Sequence, residues 1–210
     1  MAKSTITNNI MLDIETTGNG STANIIQISA VQFDREGNTY SEFDVLVDRQ
    51  SGLDLGLTED QATLDWWNRQ SDEAKAIVFD TSIPRMPIKE ALESYINWIR
   101  GLDINLNSAT EWGNGCGFDC IIIANAMKMA GLTSPIKFWN QRDVRTIADI
   151  SKSLLDSDIK KSTDFSGVAH NAIDDCKHQI KYVAATLKKI RTQFLIVARL
   201  KELEEGNESE

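Results

Sequence analysis

Little in this chain interrupts or cross-links a fold. Three prolines and twelve glycines among 210 residues leave it free to form regular elements, and 41% hydrophobic with 25% charged residues excludes the composition of a disordered chain. Cys116, Cys120 and Cys176 are odd in number and show no C-x-x-C or paired Cys/His spacing. That excludes a disulfide framework or a cysteine-built zinc site, and leaves reduced core thiols. No run reaches the roughly 18 to 20 apolar residues that span a bilayer, and "MAKSTITNNI" lacks the roughly 7 to 15-residue apolar stretch of a secretory signal. The expected location is the cytoplasm, with no membrane partner.

Positive charge is scarce too. The 22 Lys and Arg stand against 31 Asp and Glu, a net charge of -9. This argues against a broad, sequence-independent grip on duplex phosphates, yet leaves room for a narrow site where metal ions supply positive charge. The length suits one domain with a substantial core, expected over residues 1–203, followed by an acidic, disordered tail at 204–210.

What is present reads as strands first and helices after. Ile10, Leu12 and Ile14 alternate with Met11, Asp13 and Glu15, and "NIIQISAVQFD" and "TYSEFDVLVD" flank "REGN", a hairpin turn. A three-stranded antiparallel start follows. Thr58 and Gln61 have the spacing of a capping box opening "EDQATLDWWNRQ", and Ile88, Leu92, Tyr95, Ile96 and Ile99 form a helical stripe stopped by Gly101. "SATEWGNG" predicts a short strand entering a glycine-rich turn, and "FDCIIIANAMKMAG" a buried helix. Ile173, Cys176, Ile180, Val183, Leu187 and Ile190 mark the apolar face of a strong one. This order predicts an α/β fold, a mixed sheet flanked by helices.

"MLDIETTGNG" places two acids at the end of the first strand. Alternate strand residues share a face, so Asp13 and Glu15 lie about 6.6 to 6.8 Å apart along it and their tips can converge on an ion. By itself this pattern also describes an ordinary solvated strand face. Asp119, at the start of a predicted helix, is either an N-cap or a further site carboxylate. Capping needs no permissive backbone, whereas Gly113, Gly115 and Gly117 would let another chain or ligand approach. In "AHNAIDDC", Asp175 lies roughly 110° from the centre of the apolar stripe and Asp174 roughly 150°. Asp175 therefore borders the buried face, Asp174 faces water, and His170 falls on the preceding loop or first turn. Four converging carboxylates repel one another unless cations bind them, and an all-oxygen set favours Mg²⁺ or Mn²⁺. Two such ions clamp the attacking and leaving oxygens of a phosphodiester, while a histidine takes a proton from water.

At these residues the sequence resembles the DEDD (DnaQ-like) exonuclease superfamily in its histidine branch: "DIETTG" at 13–18, "NGCGFD" at 114–119, and His170 with Asp175 as H-x4-D. "EWGNG" and "TLDWWNRQSDEA" are similar to the group of phage exodeoxyribonuclease A and bacterial exonuclease VIII-like proteins. The resemblance implies a ribonuclease H-like fold with a mixed five-stranded sheet. The implied activity is 3'-5' removal of nucleoside 5'-monophosphates from single-stranded DNA, in the cytoplasm of a host if the chain is phage-encoded. It assigns Asp13, Glu15, Asp119 and Asp175 to two Mg²⁺ or Mn²⁺ ions and His170 as general base. Thr16, Thr17 and Gly18 would border the terminal nucleotide.

Adjacent tryptophans on a helix point about 100° apart, so at most one of Trp66 and Trp67 reaches the site and the other packs in the core. Trp67 is assigned to substrate, where stacking is worth ~1 to 3 kcal/mol. Arg142 and Arg145 fit either phosphate contacts or structural ion pairs with Asp143 and Asp149. The rival functions are the same chemistry on RNA, and a nucleic-acid-binding module without activity. The sequence carries no sign of an oligomeric state.

Overall fold

The computed structural model describes residues 8–207, so the first seven residues of the segment read for targeting and the last three of the acidic tail lie outside the described residues. Strands β1 (Asn9–Thr16), β2 (Ile25–Phe33) and β3 (Thr39–Leu46) form an antiparallel meander. Its hairpin turn falls where "REGN" predicts it: Asp34 accepts from the Glu36 and Asn38 amides, each at 2.9 Å, and Gly37 takes φ +92°. Four helices follow: α1 (Arg49–Leu55), α2 (Gln61–Asn68), α3 (Asp72–Phe79) and α4 (Ile88–Gly101). The chain then re-enters the sheet as β4 (Thr110–Gly113), leaves through α5 (Asp119–Met129), and returns as β5 (Gln141–Asp143). It ends with α6 (Val144–Leu155), α7 (Ile159–Ser162) and α8 (Ala172–Asn207). The five strands lie in the order β3-β2-β1-β4-β5, with β4 parallel to β1 and β5 parallel to β4. This is the mixed five-stranded sheet of the ribonuclease H-like fold.

β1 is central, and helices cover both of its faces. Ile10, Leu12 and Ile14 join Leu92, Tyr95, Ile99, Ile122 and Ile123 in one core. Met11 joins Val144, Cys176, Ile180 and Val183 in the other. Asp13 and Glu15, on the Met11 side, thus lie beneath α8 and not on a solvated face. Burying each large aliphatic side chain contributes about 1.5 to 3 kcal/mol, so the stripe on α8 is enough to hold that helix against the sheet.

Two local expectations are corrected. Thr58 does not cap α2; the cap is Asp60, whose Oδ1 accepts from Thr63 N at 2.7 Å, while Thr58 exchanges backbone hydrogen bonds with Thr22 and Asn24. The 203/204 boundary falls inside α8, which continues to Asn207. At 36 residues α8 is about 54 Å long, and every residue from Arg191 to Glu205 is exposed, so this end does not pack on the body. No helix among the described residues is long and apolar enough to cross a membrane.

Candidate active site

The carboxylates meet where β1 outruns its parallel neighbour. β1 and β4 pair only as far as Met11 and Trp112; beyond that the strands part and the start of α5 fills the gap. Asp119 takes its place there, with its carboxyl beside the Ile14 backbone. A Cβ on Gly113 would stand 3.1 Å from Asp119 Oδ2 and 3.3 Å from Cys120 Sγ. The glycine-rich turn therefore admits side chains of this chain's own, and the N-cap of α5 is Phe118, not Asp119.

From the opposite side comes the start of α8. Gln27, paired across the sheet with Glu15, donates to Asn171 Oδ1 at 2.9 Å and accepts from Ala172 N at 3.2 Å, pinning the helix start above the strand end. This sets Asp175 beside Glu15. One turn further along, Gln179 Nε2 donates to Asp13 Oδ1 at 2.7 Å. His170 lies on the loop before α8, as predicted, at φ +64°, with its amide donating to Asp175 Oδ2 at 3.0 Å. Its ring meets Trp66 edge-on, centroids 4.7 Å apart. Asp174 does not face water as expected: its Oδ2 accepts from Val168 N at 2.9 Å and holds the same loop.

Asp13, Glu15, Asp119, His170 and Asp175 all line one cavity of about 400 Å³. Ligand atoms of Glu15, His170 and Asp175 lie within 4.8 Å of one another, close enough to share a metal ion. Burial first, and then the charges of Asp119, Glu15 and Asp175, push the Asp13 carboxyl well above its usual range against the lowering effect of Gln179. Burial with Asp175 and Asp119 does the same to Glu15. Asp119 is pushed up to about 7 by burial, opposed by the backbone amides and by Arg145, and Asp175 is raised by burial. Carboxylates so placed do not all ionise without cations among them. Gln179 Oε1 and Asn114 Oδ1, which also line the cavity, are buried acceptors without a partner. This donor set is all hard oxygen apart from one imidazole, and it fits Mg²⁺ or Mn²⁺.

The rim departs from expectation in two places. Thr17 is fully buried and donates to Glu59 Oε1 at 2.6 Å, outside the cavity lining; the strand-end loop needs that anchor. Trp67 lines the cavity as expected, but it is 1% exposed and its Nε1 donates to Thr16 O at 2.8 Å, so it packs as the wall, and half-buried Trp66, also in the lining, offers the more accessible ring. Thr16 and Gly18 do line the cavity. At Gly18 a Cβ would come within 2.9 Å of Thr58 O, so only glycine fits. Gln179 was not foreseen, although it lies four residues after Asp175 and so on the same helix face.

The fold is of the ribonuclease H-like class, and its cavity gathers the carboxylates that suit a metal-dependent hydrolase. The chain belongs to the 3'-5' exoribonuclease Rv2179c-like domain family, which matches residues 8–187, and is thereby a 3'-5' exonuclease. It is 25% identical over 201 residues to an exodeoxyribonuclease of Enterobacteria phage T4, covering 85% of this chain and 88% of that one. In structure it is similar to cell-death related nuclease 4, at TM-score 0.62 and 16% identity over 86% of this chain and 63% of that one. It is also similar to E. coli exonuclease I in complex with a dA16 oligonucleotide, at 0.61 and 16% over 89% and 42%. The Mg²⁺- and Mn²⁺-bound form of S. pombe Pop2p gives 0.55 and 15% over 85% and 82%. The chain thus spans less than two thirds of the first of these structures and under half of the second, and the likeness is one of fold.

Proposed function

We propose that the protein hydrolyses single-stranded DNA from its 3' end, releasing nucleoside 5'-monophosphates, as a member of the histidine branch. The observation that carries this reading is the convergence of Asp13, Glu15, Asp119, Asp175 and His170 on one cavity, with ligand atoms of Glu15, His170 and Asp175 within 4.8 Å of one another. Asp13, Glu15, Asp119 and Asp175 would hold two Mg²⁺ or Mn²⁺ ions, which supply Lewis-acid polarisation of the phosphoryl group and charge for the leaving oxygen. His170 takes the proton from the attacking water as its oxygen bonds to phosphorus; the bond from phosphorus to the 3' oxygen of the preceding nucleotide breaks and that oxygen is protonated by solvent. The turn at His170 and its edge-on contact with Trp66 fix where the imidazole points. Gln179 keeps Asp13 oriented, and Trp66 offers a ring on which the terminal base stacks.

DNA is favoured by the phage exodeoxyribonuclease relative, which spans nearly the whole chain. The exoribonuclease description of the family favours RNA as the second reading. Incubating 5'-labelled single-stranded DNA, single-stranded RNA and duplex DNA with Mg²⁺ or Mn²⁺ separates them. Single-stranded DNA should shorten as a ladder from the 3' end, with no shortening by Asp13→Ala and strongly slowed shortening by His170→Ala. Internal cuts, or undiminished cleavage by Asp13→Ala, would overturn the mechanism; shortening of RNA alone would replace the substrate.

A further inference from the structure

The two arginines of "NQRDVRTI" have different surroundings. Arg142 Nη1 donates to the carbonyls of Gln141 and Trp139, at 2.8 and 3.3 Å, and lies outside the cavity lining. Arg145 lines the cavity. Asp143 Oδ1 accepts from the Arg145 backbone amide at 2.7 Å, which fixes the first turn of α6 and leaves the side chain uncommitted. Its guanidinium lies against Gly115, where φ is +106° and a Cβ would stand 2.9 Å from Cζ. Glycine there serves both the left-handed turn and the close approach of the cation. Among the described residues the guanidinium makes no hydrogen bond and no ion pair within 4.0 Å, and its charge is felt at Asp119. Helix stability does not explain the position, because the positive end of the helix dipole disfavours a cation in the first turn.

We propose that Arg145 is a phosphate-binding residue, taking a backbone phosphate of the single strand on the Asp119 side of the cavity. A planar fork of donors with no partner, on the rim of an acidic cavity, suits a phosphodiester oxygen pair. In a protein of net charge -9, one such cation at the cavity mouth matters more than it would on a basic surface. The assignment rests on the exonuclease reading above.

The test is the salt dependence of kcat/KM on a single-stranded oligonucleotide for wild type, Arg145→Ala and Arg145→Lys, with Mn²⁺ affinity measured in parallel by calorimetry. Arg145→Ala should lower kcat/KM about 10- to 100-fold, mostly through KM, as expected for loss of a charge-assisted hydrogen bond. The slope of log(kcat/KM) against log[salt] should become shallower by about 0.7, the share of one phosphate contact on a single strand. Arg145→Lys should restore the slope, and Mn²⁺ affinity should stay within about 2-fold of wild type. An unchanged slope, or a change in Mn²⁺ affinity that accounts for the loss of rate, would show that Arg145 acts only on Asp119 and sink the proposal. A wild-type protein inactive on every nucleic acid would instead remove the exonuclease reading, and this assignment with it.

Discussion

At φ +64° His170 occupies a conformation few non-glycine residues take, and side chains hold it there: Asp175 through its amide, Trp66 through its ring. The adjacent tryptophans divide their roles by which way the helix turns them. Trp67 is enclosed and hydrogen-bonded to Thr16, whereas Trp66 is half-buried beside His170. Trp67→Ala should cost about 3 to 5 kcal/mol in denaturant unfolding, as large buried aromatics do. Trp66→Ala should stay folded and lose roughly 5- to 150-fold in kcat/KM on single-stranded DNA, from ~1 to 3 kcal/mol of stacking. Initial rates beside melts of both variants check this, and equal losses of stability in the two would erase the distinction.

Among the elements, β4 carries a charge problem of its own. Glu111 is 3% exposed and accepts from Tyr95 Oη at 3.0 Å, and burial raises its pKa against the hydrogen bonds that lower it. A carboxyl whose folded pKa lies above its unfolded value contributes stability fully present below the unfolded pKa, near 4.5, and lost as pH rises through the folded one. Glu111→Gln keeps the acceptor for Tyr95 and removes the ionisation. The variant should therefore gain stability relative to wild type as pH is raised from 4 to 8, read as a growing difference in urea midpoints; a difference independent of pH would refute it. α8 shows how an element is placed by one residue of another. Gln27 anchors its start, and so puts Asp175 and Gln179 over the acids of β1.

For the molecule as a whole, the outer half of α8 stands apart from the site, and none of its described residues lines the cavity. Every residue from Arg191 to Glu205 is exposed, and the contact of Arg191 with Glu36 is a solvent-facing pair at 3.6 Å, of a kind worth little. A chain ending after Arg191 should keep kcat/KM within about 2-fold of the full chain, because lost exposed contacts cost only tenths of a kcal/mol. It should also be more soluble, having lost exposed Phe194, Leu195 and Leu200. Steady-state rates and light scattering at high concentration check both; a fall in rate beyond about 10-fold, more than such contacts supply, would mean that this segment reaches the site.

Much of this architecture was legible along the chain, because alternation on a strand and recurrence on a helix are local consequences of backbone geometry. They were enough to name the meander and the stripes of α4 and α8, to put Asp13 and Glu15 on one strand face and to set Asp175 at the edge of a buried helix face; the full set that the structure gathers in one cavity, Asp13, Glu15, Asp119, His170 and Asp175, needed the resemblance of three motifs to a known family. The cap of α2 is not fixed by local sequence, because Thr58 and Asp60 both suit a cap and only the bridge to Thr22 and Asn24 removes Thr58 from the choice. Trp66 against Trp67, Arg145 against Arg142, and the inward turn of Thr17 had no local signature either. Each depends on partners far away in sequence, as Gln179 and Asp13 are 166 residues apart. Spacing says which face a side chain is on; what stands opposite that face is set by how sheet and helices close on one another, and packing alone settles it.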